Sequence, residues 1–442
     1  MSCRFAGCPT PSAFWGAVMA RRCCLSPLGP DAEIPLGQRN VFKRPYPVRM
    51  GQLGPLFSCV PSMQNFPRQV NAGENQDLYF VTQLAFDALQ DAGLRPHSPE
   101  PRRGTVRLAY APVFNPSIVN WLDHTFFIDQ TVDVLRRYFP GASEERIDNV
   151  RKRLQDSLPE PNADSLLAAA GHRIADWIAH EASFSGAATA LDGGVLSGIS
   201  ALESAADDLL TGRADVALAG AVSPPFSRSV LEGLSGKIVF SEAGELYPFD
   251  RDAKGTLPGE GGAFFVLKRR ADALAAHDRI YALVRGTATG VGEPPIGACA
   301  EAAKAPLSTV SMIEADGSGF PEMDVANIEA VQRLWGEHRP GGALVGIGSV
   351  KGNIGHCFVA AAAASIVKVA QALHMRVLAP QVAVPHPLGR LANVSSAAYL
   401  LEKARPWITG NPTLPRRAIV CADDFDGRRA AVLIEEEPED RR

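Results

Sequence analysis

The stretch ALDGGVLSGISALESAADDLLTGRADVALAG, Ala190–Gly220, decides the fold. It reads as the end of a strand, a tight glycine turn, a helix over Ala201–Leu210 and a second strand in ADVALAGAV. Strand, helix, strand order with apolar strands argues for a buried, largely parallel sheet covered by helices. A glycine turn that opens a helix offers free N–H groups, so it suits a thiolate or an oxyanion. Such a turn usually presents a nucleophile. Here it holds Gly193, Gly194, Val195 and Leu196, none of which carries a nucleophilic atom.

The pattern extends in both directions. Upstream, PLGPDAEIPLGQ and RPYPVRMGQLGPLF read as loop, Asp77–Leu94 as a helix stopped by Gly93, and Thr105–Pro112 as a short strand. Ser143–Leu158 reads as a solvated surface helix, opened by Ser143 and rich in opposite charges. Downstream, GGAFFVLKR is a strand, and from Arg279 a second series begins. It runs through strands RIYALVRGTAT and STVSMIEAD, a helix around Val325–Trp335, strand ALVGIGSV and helix CFVAAAAASIVKVAQALHM, then closes with strands RRAIVCADD and AAVLIEE. The expected class is α/β, with two similar halves. One spans 1–268 with an insertion at about 115–165, and the other spans 279–442.

Composition sets outer bounds. The chain has 442 residues, 46% hydrophobic and 21% charged, which suits two or three small domains or two halves packed as one body. A net charge of −4 gives no electrostatic case for nucleic acid. No apolar run is expected to reach the ~18–20 residues of a membrane span. MSCRFAGCPTPSAFWG lacks the charged-then-apolar order of a secretion signal. The eight cysteines form no CxxC pair, which reads as reduced thiols in a cytoplasmic protein, and no His/Cys spacing suggests a metal.

Four places in all carry chemistry-bearing residues. They are the turn Asp192–Ser197, IEADGSGFPEMD (Ile313–Asp324), SVKGNIGHCF (Ser349–Phe358) with Lys351, Asn353 and His356, and YPFDRDAKGTLPGEGGAFFVL (Tyr247–Leu267). Taken singly, a histidine after a glycine is ordinarily a satisfied loop residue, and a GxG pair is ordinarily a turn. Taken in this order, with CRFAGCPTPSAFW at the start, the chain resembles the β-ketoacyl synthases of fatty-acid and polyketide assembly, which have the thiolase fold. The likeness runs over nearly the whole length. The middle section WLDHTFFIDQTVDVLRRYFP…LPEPNADS is most similar to synthases of the polyunsaturated-fatty-acid and glycolipid type.

The resemblance implies a layered αβαβα body and a decarboxylative condensation of acyl and malonyl groups on phosphopantetheine carriers, with no bound cofactor or metal. It also exposes departures. Val195 stands at the position of the acyl-accepting cysteine, and Asp316 at the first catalytic histidine, where a carboxylate would repel the developing oxyanion. His356 (the second histidine) and Lys351 are retained. In the closing loop DDFDGRR (Asp423–Arg429) the gating Phe425 remains, but Asp424 and Asp426 replace glycines. Ser197 is expected to cap or pack the helix start, and Cys357 to face a core, rather than to substitute for the nucleophile. The family also begins with a strand just ahead of CRF, where Met1 stands here, so the true start is expected upstream.

The expectation is a non-condensing subunit of the chain-length-factor kind, paired with an active ketosynthase through the strand in Phe184–Asp192 and serving an acyl carrier protein. Phe114, Trp121, Phe126 and Phe127 are candidate tunnel-wall residues, with ordinary core packing as the competing reading. A malonyl-carrier decarboxylase and a carrier-binding scaffold are the alternatives.

Overall fold

The computed structural model describes residues 1–28, 47–53, 76–111, 116–156, 171–226, 228–337, 344–389, 391, 396–409, 411 and 413–438. Its first sheet contains β1 (Ser2–Phe5), β2 (Gly104–Tyr110), β3 (Ala188–Leu191), β4 (Val216–Ser223) and β5 (Gly261–Leu267), in spatial order β1-β5-β4-β2-β3. β2 runs parallel to β3 and β4, while β5 is antiparallel to both β4 and β1. The second sheet contains β6 (Leu283–Val291), β7 (Val310–Glu314), β8 (Val345–Gly348), β9 (Ala398–Leu400), β10 (Arg417–Asp423) and β11 (Arg428–Glu435), in order β9-β8-β7-β10-β11-β6. β8, β7 and β10 are parallel, and β11 is antiparallel to β10 and β6. The first sheet therefore places a parallel trio beside an antiparallel pair, and the second a parallel quartet beside such a pair, with the first strand of each series at the antiparallel edge.

The principal helices are α1 (Pro11–Met19), α2 (Gln76–Asp91), α3 (Pro116–Tyr138), α4 (Glu144–Asp156), α5 (Gly171–Glu181), α6 (Ser197–Leu210), α7 (Ile296–Ala302), α8 (Pro321–Glu337) and α9 (Ala361–Met375). α6 and α9 pack on one another and each touches both sheets. α2 and α5 cover the outer face of the first sheet, and α7 and α8 that of the second. The result is the five-layered αβαβα arrangement.

Side-chain size along the strands explains the layering. On β4, Val216, Leu218 and Val222 face the outer cluster under α2 and α5, whereas Ala217, Ala219 and Ala221 face the central layer. Period-two alternation of large and small residues lets α6 approach the sheet closely on one side and fills the space on the other. Gly220 lies at a tighter point still: a Cβ there would stand 2.2 Å from the ring of Phe264, which is fully buried. Gly220→Ala is expected to cost about 1–3 kcal/mol by overpacking, read as a lowered denaturant midpoint with unchanged slope.

Some elements differ from the sequence reading. The loop-rich opening contains β1 and α1, the latter started by Thr10, whose hydroxyl accepts the Ala13 N–H at 3.2 Å, with Pro11 in the first turn. The middle section forms the long α3, which the sequence leaves unassigned because it lacks a clean apolar stripe. The segment Phe358–Met375 does reach 18 residues at a mean hydropathy of 1.5, so the expectation about apolar runs fails on length and composition. The physical reason is position: α9 is sandwiched between two sheets, so it is apolar on nearly every side, and its buried charge, Lys368, is paired with Glu314.

Candidate functional site

The turn ahead of α6 is a short 3₁₀ segment, Gly194–Leu196. Gly194 adopts φ 65°, and a Cβ there would lie 2.4 Å from Asp424 Oδ2, so two features demand glycine. Ser197 holds the turn: its hydroxyl accepts the Gly193 N–H and donates to the Gly194 carbonyl, both at 2.7 Å. Ser197 is thus a fully buried structural cap with its hydrogen-bonding capacity used locally. Val195 is buried, 3% exposed, at the front of α6.

His356 follows a short helical turn, Lys351–Ile354, after β8. The glycine-rich segment before β5 grips it from both sides: its N–H donates to the Leu257 carbonyl at 2.7 Å, and its carbonyl accepts from Gly259 at 2.9 Å. Nδ1 accepts the Phe358 N–H at 3.0 Å, which fixes the neutral tautomer with hydrogen on Nε2. Burial, followed by the nearby charge of Lys351, holds this imidazole well below its ordinary pKa. Nε2 is buried and has no partner among the described residues. Cys357 is buried beside Gly259, and burial pushes its thiol far up, which removes it as a nucleophile at neutral pH.

Asp316 follows β7 and is 3% exposed. Lys351 Nζ pairs with its carboxylate and donates to its backbone carbonyl at 2.8 Å; Ser349 Oγ donates to the same carbonyl at 2.9 Å. The Asp423 N–H donates to Asp316 Oδ1 at 3.1 Å. Two donors therefore converge on a carboxylate where the resemblance expects a histidine donor.

The turn between β10 and β11 joins these positions. Asp423 contributes its N–H to Asp316. The carboxylate of Asp424 accepts the Phe425 N–H at 2.8 Å and lies against Gly194, next to the amide of Val195. That carboxylate sits beside the turn whose N–H groups would hold a developing oxyanion. Arg428 pairs with Asp424 at 3.2 Å. The Phe425 ring lies 5.4 Å from the His356 ring and 6.0 Å from that of Phe320.

Around this centre, buried carboxyls are pushed up by the cost of desolvation: Asp324 and Glu260 to about 7, as is Asp77 behind the first sheet. Asp324 accepts from Phe249 and Ser318 N–H groups, and Glu260 from those of Leu53 and Phe226. A carboxyl whose folded pKa exceeds its unfolded value of about 4 favours folding while protonated. That stability is present below about pH 4 and lost as pH rises through about 7. His356 acts oppositely, but only below its unfolded value of about 6.5. The thermal midpoint is therefore expected to fall between pH 6.5 and pH 8, measured by scanning calorimetry.

Two family models match the chain: "Beta-ketoacyl synthase, N-terminal domain" over residues 139–273 and "Beta-ketoacyl synthase, C-terminal domain" over residues 287–384. The chain belongs to the β-ketoacyl synthase family. Among curated relatives, this ketosynthase-like chain is 32% identical over 331 residues to a polyunsaturated fatty acid synthase polypeptide of Thraustochytrium sp., covering 69% of the chain and 12% of that protein. It is 29% identical over 304 residues to 6-methylsalicylic acid synthase of Aspergillus terreus, covering 65% of the chain and 17% of that protein. The chain thus spans under a fifth of the length of these relatives. Among solved structures, the ketosynthase from module 6 of the bacillaene synthase of Bacillus subtilis 168 superposes with a TM-score of 0.79 at 22% identity, covering 100% of this chain and 72% of that one. That likeness places the fold among thiolase-like ketosynthases.

The structure brings Val195, Asp316, Lys351, His356 and Phe425 together. The tunnel candidates are elsewhere: Phe126 and Phe127 lie on α3 with 64% and 59% of their surface exposed, so they fill no core here. Phe114 and the side chain of Trp121 lie outside the described residues. What sequence reasoning missed is the seat of Asp424. The resemblance marked its position; the Gly194–Val195 turn that its carboxylate lies against is more than two hundred residues away in the chain.

Proposed function

We propose that this ketosynthase-like chain is a non-condensing subunit, of the chain-length-factor kind, that pairs with a cysteine-bearing homologue in polyketide or fatty-acid assembly. The observation that carries the reading is the turn Asp423–Phe425. It puts a carboxylate against the Gly194–Val195 turn, an N–H on Asp316 and an aromatic ring beside His356, so on this reading the position of the acyl acceptor is inert and the carboxylate occupies its anion seat. The framework around it is intact and supplies wall and contact surface to a partner.

The strand β3 supports the pairing. It ends the first sheet, is bonded on one side only to β2, and all four of its residues are half-buried. An edge of that kind accepts a further strand. In the same complex Phe126 and Phe127 would be covered by the partner and line its acyl tunnel, with acyl and malonyl groups delivered on phosphopantetheine carriers in the cytoplasm. The halves 1–268 and 279–442 would act as one body. The test is expression alone and with a cysteine-bearing homologue. Alone, the protein forms no condensation product; together, the two co-purify, and Phe126→Ala or Phe127→Ala shifts product length by mass spectrometry. Condensation by the isolated protein overturns the proposal.

A second reading rests on His356. Its Nε2–H is buried with no partner among the described residues, as a donor reserved for a ligand oxygen would be. It would hold a malonyl thioester for decarboxylation without condensation. Carbon dioxide release from malonyl-carrier that vanishes in His356→Ala supports this reading over the first.

A further inference from the structure

Immediately after β1 the chain turns sharply. Phe5 and Cys8 exchange backbone hydrogen bonds, the Phe5 N–H to the Cys8 carbonyl at 3.0 Å and the Cys8 N–H to the Phe5 carbonyl at 2.8 Å. This fixes Cys8 against the sheet, 1% exposed. Gly7 in the turn adopts φ 61°, and a side chain there would meet Cys24 Cβ at 3.3 Å. The turn leaves room for the approach of Cys24.

Cys24 arrives on the loop after α1, and that loop is clamped. The Cys24 N–H donates to the Asn353 carbonyl at 2.7 Å, and Asn353 Nδ2 donates to the Arg22 carbonyl at 2.9 Å. Asn353 shares its helical turn with Lys351, so the loop is fastened to the segment that pairs with Asp316. The two sulfur atoms stand 3.8 Å apart. A disulfide needs a separation of about 2.05 Å, which a small shift of either side chain supplies.

We propose that Cys8 and Cys24 form a reversible thiol–disulfide pair that reacts with a hydroperoxide through Cys24 and is closed by Cys8. The hydrogen bond with Cys8, and then the Arg22 guanidinium, bring the Cys24 thiol down to about 6, so it is ionised at neutral pH while half-exposed. The same hydrogen bond and burial push Cys8 up, which keeps it protonated until needed. The Cys24 thiolate attacks the peroxide; an S–O bond forms, the O–O bond breaks, and the alkoxide or hydroxide that leaves takes a proton from solvent to become alcohol or water. Cys24 is then a neutral sulfenic acid, so the thiolate that opposed ionisation of Cys8 is gone. Cys8 attacks the Cys24 sulfur, the S–S bond forms, the S–O bond breaks, and the Cys8 proton departs with hydroxide as water. The two thiols lose two electrons and the peroxide gains them.

The test treats the intact protein with hydrogen peroxide, then counts thiols in denaturant and maps peptides by mass spectrometry. The expected result is a fall from eight titratable thiols to six, a Cys8–Cys24 linked peptide, and restoration by dithiothreitol. Cys23→Ser leaves the linkage unchanged. Cys8→Ser abolishes it and leaves a Cys24 sulfenic acid trapped by a dimedone reagent. The oxidation rate rises with pH around a midpoint near 6. A linkage of Cys24 to Cys23, a linkage between molecules, or Cys24 oxidised no faster than exposed Cys23 overturns the proposal.

Discussion

Replacing Lys368 with methionine is expected to destabilise the protein by about 3–5 kcal/mol, read as a fall in the denaturant midpoint. Lys368 on α9 and Glu314 at the end of β7 are both 0% exposed, with Nζ 2.6 Å from Oε2. Oε1 of Glu314 has no hydrogen-bond partner among the described residues, so this carboxylate depends on the lysine for compensation. Burial raises the Glu314 pKa, and the Lys368 charge pulls it back. Removing the cation leaves a buried carboxylate in the layer between the sheets, which is the costly way to break an ion pair. The double replacement Lys368→Met/Glu314→Leu is expected to recover most of the loss, because the pair's desolvation cost disappears with its attraction. A single variant within about 1 kcal/mol of the parent would show that water reaches this pair.

Val195→Cys alone is expected to accept acyl groups from an acyl-thioester only slowly. The new thiol would sit at the front of α6, but the Asp424 carboxylate lies against the Gly194 turn beside it, in the place an oxyanion needs. Removing that carboxylate as well, in Val195→Cys/Asp424→Gly, is expected to raise the acylation rate by about 10²–10³-fold. That is the usual worth of one donor to an oxyanion. Intact-protein mass spectrometry over time measures both rates. Equal rates in the two variants would mean that Asp424 does not obstruct the amides. Condensation is not expected from either, because Asp316 remains paired with Lys351.

Much of this was legible before the structure. Strands such as VALAGAV and AIVCAD announce themselves because burial on both faces demands continuous apolar runs, whereas the five-layered body was implied by the family resemblance. Val195 and Asp316 were marked in the sequence as departures that the resemblance implies. α1 was hidden because Pro, Gly and Cys around a nine-residue helix resemble loop, and its cap is a single threonine. α3 was hidden because no single face of it is apolar. The partnerships of Asp424, Lys351 and Asp423 were out of reach for a different reason. Each joins residues distant in sequence through the return of a loop or hairpin, and no local pattern encodes where a hairpin tip lands.

That hairpin tip ties three positions together. Because Asp423 bonds Asp316, Asp424 lies against the Gly194–Val195 turn and Phe425 faces His356, the effects of changing them are coupled rather than additive. On the function proposed above, a cysteine at position 195 would gain little while the carboxylate stayed, and loss of the carboxylate would gain nothing without the cysteine. No single step toward acyl transfer would then be rewarded, and the three-residue tip would work as a ratchet.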